Sequence, residues 1–174
     1  KALRAKLGME QNQKLILWPL PASSFSPLYS KRLLSAVEVS EAFETLCRNR
    51  HDFRYMLRPH PNSPQELPGN AVSGILDPGM SPRDALLVSD IVCTELSTMG
   101  LQGALLGLPV ICVGFGEQAV YPKFGLATAV NSISHAVDLL RRNRYTSPNQ
   151  EMNRKISLGN ATCAIVDLIY QISK

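Results

Sequence analysis

Aromatic residues make up only 6% of this 174-residue chain, with a single tryptophan, and charged residues only 18%. The basic excess is a formal +4 and sits largely at the N-terminus and in Arg141, Arg142, Arg144, Arg154 and Lys155, which have no aromatic neighbour beyond Tyr145. A surface that stacks bases and contacts phosphates is therefore not expected, and nucleic acid is not a partner. Long apolar runs are missing too: Ala104 to Leu108, with Pro109 to Val113 behind it, stops well short of the about 18 residues a membrane span requires. Lys1 to Met9 alternates basic and apolar residues without a long apolar stretch or small-residue cleavage site, so no secretory signal is read there. A chain that opens at Lys1 rather than Met is expected to belong to something longer.

Cysteine is sparse and scattered. Cys47, Cys93, Cys112 and Cys163 each lie in an apolar segment, with no Cys-x-x-Cys pair and no paired histidine spacing. That pattern argues against a disulfide framework and for buried free thiols in a reducing, cytoplasmic compartment. His51 and His135 have no further ligand beside them for zinc. No third glycine completes a dinucleotide fingerprint around Gly114 and Gly116, and no Gly-x-Ser-x-Gly elbow supports a hydrolase. What is present is 45% hydrophobic residues without strict glycine periodicity, which excludes disorder and a collagen-like chain. One domain is the default at this size, large enough to bury roughly 70% of the surface its unfolded chain exposes.

The apolar residues fall into short runs alternating with helical stretches. Lys14 to Leu20, Phe53 to Arg58, Ala71 to Leu76, Asp90 to Thr94, Pro109 to Gly114 and Leu126 to Val130 read as strands. Between them, Leu33, Ala36, Val37, Phe43 and Cys47 recur at helical spacing over about Ser30 to Asn49. Ser81 before Pro82 marks a brief helix to Ser89, Ser97 to Leu106 forms another, and Ile133, Ala136, Val137 and Leu140 share one face of a third. After Pro148 a long helix carries Met152, Ile156, Gly159, Cys163, Val166 and Ile169 on one stripe. The prolines at 59, 61, 64 and 68 make the stretch to Gly69 irregular. Nearly continuous apolar strands alternating with helices predict an α/β domain: a single Rossmann-like, doubly wound parallel sheet with helices on both faces.

Ligands bind outside the carboxyl ends of the strands in such a sheet. Ser23 and Ser24 follow the first strand, Arg58, Pro59, His60 and Pro61 the second, Glu95, Ser97 and Thr98 the fourth, and Gly114, Phe115, Gly116 and Glu117 the fifth. Ser97 and Thr98 open a helix whose first-turn amides and dipole favour a phosphate; equally, Ser97 can simply cap that helix. Pro59 keeps its segment extended, so Arg58 and His60 project together as a cationic clamp, or face water. Glu95 can accept hydrogen bonds from a ribose, or pair with Arg58 at the surface.

Taken together, Arg58-Pro-His60-Pro61, Arg83-Asp-Ala-Leu-Leu-Val-Ser-Asp90-Ile-Val-Cys-Thr, Glu95-Leu-Ser97-Thr98 and Ala104-Leu-Leu-Gly-Leu-Pro109-Val-Ile resemble the C-terminal, nucleotide-binding half of a GT-B glycosyltransferase. The order is similar to that in CDP-glycerol glycerophosphotransferases, UDP-N-acetylglucosamine 2-epimerases and lipid-A-disaccharide synthases, and is densest from Phe53 to Val113. An Asp-Tyr-Ser-Ser string of the glycerophosphotransferases is here Glu95-Leu96-Ser97-Thr98. The resemblance implies that His60, Ser97 and Thr98 lie near a donor diphosphate and that Glu95, or an acid nearby, contacts ribose or base. It implies a nucleotide-diphosphate sugar of UDP or CDP type as substrate and no required cofactor or metal. Residues 1–174 would then form the donor-binding domain, with the acceptor-binding half and its catalytic base on a missing segment or separate subunit. A half that lost its partner exposes the face that met it, which suits a homodimer. The basic residues near the C-terminus suit peripheral contact with an anionic membrane, or a solvated helix face. Two other readings stand beside this one: one half of a nucleotide-sugar 2-epimerase, and a non-catalytic α/β binding or interaction domain.

Overall fold

Residues 2–21, 32–61, 67–76, 79–114, 122 and 124–148 are described by a computed structural model. Along the chain these are α1 (Ala2–Lys6), β1 (Lys14–Pro19), α2 (Ala36–Asn49), β2 (Phe53–Arg58), β3 (Gly74–Leu76), α3 (Pro82–Val88), β4 (Ile91–Thr94), α4 (Thr98–Leu105), β5 (Val110–Val113), β6 (Thr128–Val130) and α5 (Ile133–Arg141). All six strands pair in parallel in one sheet, ordered β3-β2-β1-β4-β5-β6.

The two-residue period of a strand divides the core in two. Ile16, Trp18, Phe53, Tyr55, Leu57, Ile91, Cys93, Ile111 and Val113 face α2 and α5, where Val39, Phe43, Leu46, Ala136 and Leu140 meet them. Leu15, Leu17, Met56, Val92, Val110 and Cys112 face α3 and α4, which contribute Ala85, Leu86, Val88, Met99 and Ala104. Both faces of the central strands are thus buried, which explains their unbroken apolar sequence. Each large aliphatic or aromatic side chain so buried contributes roughly 1.5–3 kcal/mol.

Local caps set the helix limits. Ser35 and Glu38 form a capping box, so α2 begins at Ala36 rather than near Ser30. Its inward stripe is Ala36, Val39, Ser40, Phe43, Leu46 and Cys47. Leu33 precedes the helix, and Val37 is 45% exposed. Ser81 accepts the Asp84 amide ahead of Pro82, as the Ser-Pro signature predicts, and α3 ends one residue early with Ser89 as its C-cap. The strand expected from Ala71 shortens to Gly74–Leu76 because the Ser73 amide donates to the Glu44 carboxylate at 2.8 Å instead of joining a ladder. The helix α1 was not expected. Arg4 holds it by donating to the Val88 carbonyl, the Asp90 carboxylate (2.8 Å) and the Gln13 carbonyl, while Asp90 also accepts the Leu15 amide at 2.7 Å. The long helix expected after Pro148, with Cys163, lies outside the described residues. Among the described residues no helix is long and apolar enough to cross a membrane.

Helix α4 lies unusually close to the sheet at one point: a Cβ on Gly103 would stand 2.7 Å from Cγ2 of Val92. Val92 is β-branched, fully buried and in a central strand, so it has little room to yield. Gly103→Ala is therefore expected to destabilise by about 1–3 kcal/mol in urea unfolding, even though alanine is the better helix former by about 1 kcal/mol. Combined with Val92→Ala, the loss should be smaller than the sum of the two single changes.

A second outcome concerns acid stability. Hydrogen bonding from Arg32, and from the Ser35 amide and hydroxyl, pulls the Glu38 carboxyl from 4.5 down to about 2. A depressed folded-state value means the stabilisation is full above the unfolded value and disappears as pH falls through the folded one. Urea midpoints should therefore drop between about pH 4.5 and about pH 2, and Glu38→Gln should flatten that slope.

Candidate functional site

The sheet order reverses between β1 and β4. The chain leaving β1 goes to α2 on one face, the chain leaving β4 goes to α4 on the other, and a crevice opens between them at the carboxyl edge. A cavity of about 190 Å³ lies there, lined by Pro19, Leu20, Arg58, His60, Pro61, Pro82, Ser97, Thr98, Met99 and Gln102. Arg58, His60, Ser97 and Thr98, which the sequence analysis took from two separate loops, thus share one small concavity.

Register and period explain the convergence. Pro19 of β1 lies beside Arg58 of β2. Arg58 follows Met56 in the alternation, so its side chain emerges on the α3 and α4 face. It is half-buried, and its Nε is fully screened from solvent with no hydrogen-bond partner among the described residues. Arginine keeps its charge under all ordinary conditions, so that atom is a cationic donor without an acceptor.

The start of α4 supplies the other wall. The Ser97 amide donates to Thr94 Oγ1 (3.0 Å), the Met99 amide to Ser97 Oγ (3.2 Å), and the Gly100 amide to the Ser97 carbonyl (2.9 Å). Ser97 is therefore the N-cap of α4. The capping reading of its hydroxyl is realised, and two of the first-turn amides expected to be unpaired are already bonded. Thr98, exposed at the first helical position, presents its hydroxyl where the helix dipole is positive.

Glu95 stands apart from this cavity. It is only 2% exposed, so a surface ion pair with Arg58 is ruled out, and both its carboxylate oxygens accept the Leu34 amide, at 3.2 and 3.1 Å. Gly114 ends β5 with a φ of 86°, in the left-handed region that favours glycine, and its amide donates to the Val130 carbonyl at 2.7 Å. It is not part of the cavity wall. Ser23, Ser24 and Gly116 lie outside the described residues. Gln102, Pro82, Met99, Pro19 and Leu20 are wall residues that the sequence analysis did not single out. For Gln102 the signal was available, since it sits four residues after Thr98 and so on the same helix face.

Other features are less suited to chemistry. A larger cavity of about 530 Å³ runs along α2 past Glu41, Glu44 and Arg48, away from the carboxyl edge. Its Glu44 is already committed to the Tyr55 hydroxyl (2.9 Å) and the Ser73 amide. The thiols Cys47, Cys93 and Cys112 are free and buried, and burial pushes Cys47 and Cys112 up to about 12, so none is a nucleophile. Among the described residues no group of three or more His, Cys, Asp or Glu side chains comes together.

No family model matches the chain, and no curated protein sequence does. Solved structures do. The UDP-GlcNAc 2-epimerase from Neisseria meningitidis bound to UDP-GlcNAc has a TM-score of 0.64 and 16% identity over 98% of this chain and 48% of that one. The wall teichoic acid polymerase TagF has a TM-score of 0.60 and 17% identity over 98% and 46%. The KpsC β-Kdo 2,7 transferase from Thermosulfurimonas dismutans has 0.51 and 20% over 71% and 40%. At such identities the likeness shows the fold: the chain has the architecture of one Rossmann-like half of a GT-B protein. It spans about half the length of the polymerase and epimerase structures it matches.

Capping and ligand contact at Ser97 are separable by substitution. Ser97→Ala should lower stability by about 1 kcal/mol, while Ser97→Asp, a comparable cap, should leave thermal unfolding nearly unchanged.

Proposed function

We propose that this chain is the donor-binding half of a nucleotide-sugar-dependent glycosyltransferase, holding the donor's diphosphate between Arg58, His60 and the start of α4. The observation that carries this reading is the buried, unpartnered Arg58 Nε in a small cavity whose opposite wall is a helix N-terminus. A buried cationic donor without an acceptor is costly and is satisfied when an anion enters. A diphosphate matches both walls: the arginine fork takes two oxygens, and Thr98 and the α4 dipole take the other phosphate.

Transfer forms a bond from the acceptor's oxygen to the sugar's anomeric carbon and breaks the bond between that carbon and the diphosphate oxygen, which keeps the electron pair. Charge then grows on the leaving diphosphate, where Arg58 and the α4 dipole stabilise it. His60 adds a hydrogen bond or a proton to the same group. The base that deprotonates the acceptor comes, in this reading, from an opposing half, as does the acceptor site. The donor is of UDP or CDP type, and its charge is balanced by side chains and helix rather than by a cofactor.

The epimerase alternative draws on a neighbour whose printed description includes UDP-GlcNAc. It needs acid and base carboxylates at the sugar, and among the described residues the cavity wall carries no carboxylate. That favours transfer. If the loop edge instead fills with its own side chains, a non-catalytic binding domain is the better account.

Binding is followed by calorimetry, since Trp18, the sole tryptophan, packs in the core against α2 and α5 and does not line the cavity. Titration with UDP, CDP and GDP should saturate for at least one, and Arg58→Ala should weaken it about 10- to 100-fold, the worth of charge-assisted hydrogen bonds. Absence of binding by all three, checked by calorimetry, would falsify the proposal.

A further inference from the structure

One buried carboxyl group is not part of the cavity wall. Glu95 follows directly on β4 and is 2% exposed, yet both its oxygens reach the amide of Leu34, on the chain leading into α2. Helices α2 and α4 cover opposite faces of the sheet, so this hydrogen bond ties the chain leaving β4 to the chain entering α2. Each end of the tie is itself anchored. On the α2 side, the Ser35 amide donates to Glu38 at 2.9 Å, Arg32 pairs with the same carboxylate, and Arg32 also feels the Glu95 charge. On the α4 side, the Ser97 amide donates to Thr94, so the turn that carries Glu95 is closed on itself.

Packing alone does not call for a carboxylate here. An apolar residue fills such a position without desolvating a charge, whereas a carboxylate fixes the direction of the group it accepts. Glu95 is also absent from the cavity wall. We infer that Glu95 is a positioning residue: acting through Leu34, it locks the β4–α4 turn against the approach to α2 and so sets the spacing between Thr98 and Arg58 that a diphosphate must fit. This rests on the reading of the cavity as a nucleoside-diphosphate site.

The test combines amide hydrogen exchange at Leu34, Thr98 and Met99 with UDP, CDP and GDP titration of the same proteins. Glu95→Gln keeps an acceptor for Leu34 and should leave exchange and affinity within about threefold of the original. Glu95→Ala should speed Leu34 exchange and weaken nucleotide binding, each by about tenfold or more, with an unchanged far-UV circular dichroism spectrum. Should Glu95→Ala not fold, Glu95→Asp, which keeps the charge but shortens its reach, takes its place with the same expected outcome. Unchanged Leu34 exchange overturns the inference, as does faster exchange with unaltered affinity. Equal loss of affinity in Glu95→Gln also overturns it, because the charge would then act on the ligand directly. If the original chain binds no nucleoside diphosphate, the proposed function falls by itself. The exchange at Thr98 and Met99 then decides: it must rise with Glu95→Ala and not with Glu95→Gln, or the tie does not position α4.

Discussion

The crevice depends on one topological constraint: β1 and β4 run side by side in parallel, and the segments that follow them leave towards opposite faces of the sheet. Covering helices cannot fill the gap where the two paths part, so a concavity at that edge follows from strand order alone. The residues around it come from two strand ends and two helix starts, brought together by register rather than by proximity in sequence. Hence neither Arg58 nor Ser97 suffices by itself; their meaning comes from the edge they share.

Features set by neighbours in sequence were legible. The Ser81-Pro82 pair announced α3, Ser97 announced α4, and the apolar runs gave the strands within a few residues, because caps and alternation act over one or two turns of chain. The convergence of Arg58 and His60 with Ser97 and Thr98 was legible one step removed, through the rule for parallel sheets. What was not legible involves long-range partners. Glu95 reads as a loop acid until Leu34, 61 positions away, is seen to claim it. Likewise, Arg4 is one of several N-terminal cations until Val88 and Asp90 give it somewhere to bind. The start of α2 was placed too early for a different reason. Leu33 and Leu34 do pack on the core, but as an extended segment before the capping box, and burial without periodicity does not reveal helix.

Around the crevice Arg58 offers a cationic fork and Thr98 a hydroxyl at the positive end of a helix, while Glu95, outside the cavity wall, is spent on a backbone amide. Burial raises the thiols of both strands that flank α4, which leaves the apolar underside chemically quiet. Among the described residues, the side chains suited to holding an anion gather at the carboxyl edge, above the apolar sheet.

The missing side chain at Gly103 has a consequence for the field as well as for packing. It lets α4 rest directly on Val92, which fixes how near the helix's terminal partial charge lies to the strand ends. Coulomb attraction weakens with separation and with intruding solvent, so lifting the helix by even the width of a methyl group would dilute its pull on an anion. A hydrogen atom in place of a larger group, seated in the middle of the helix, tunes the electrostatics of an opening more than one helical turn away.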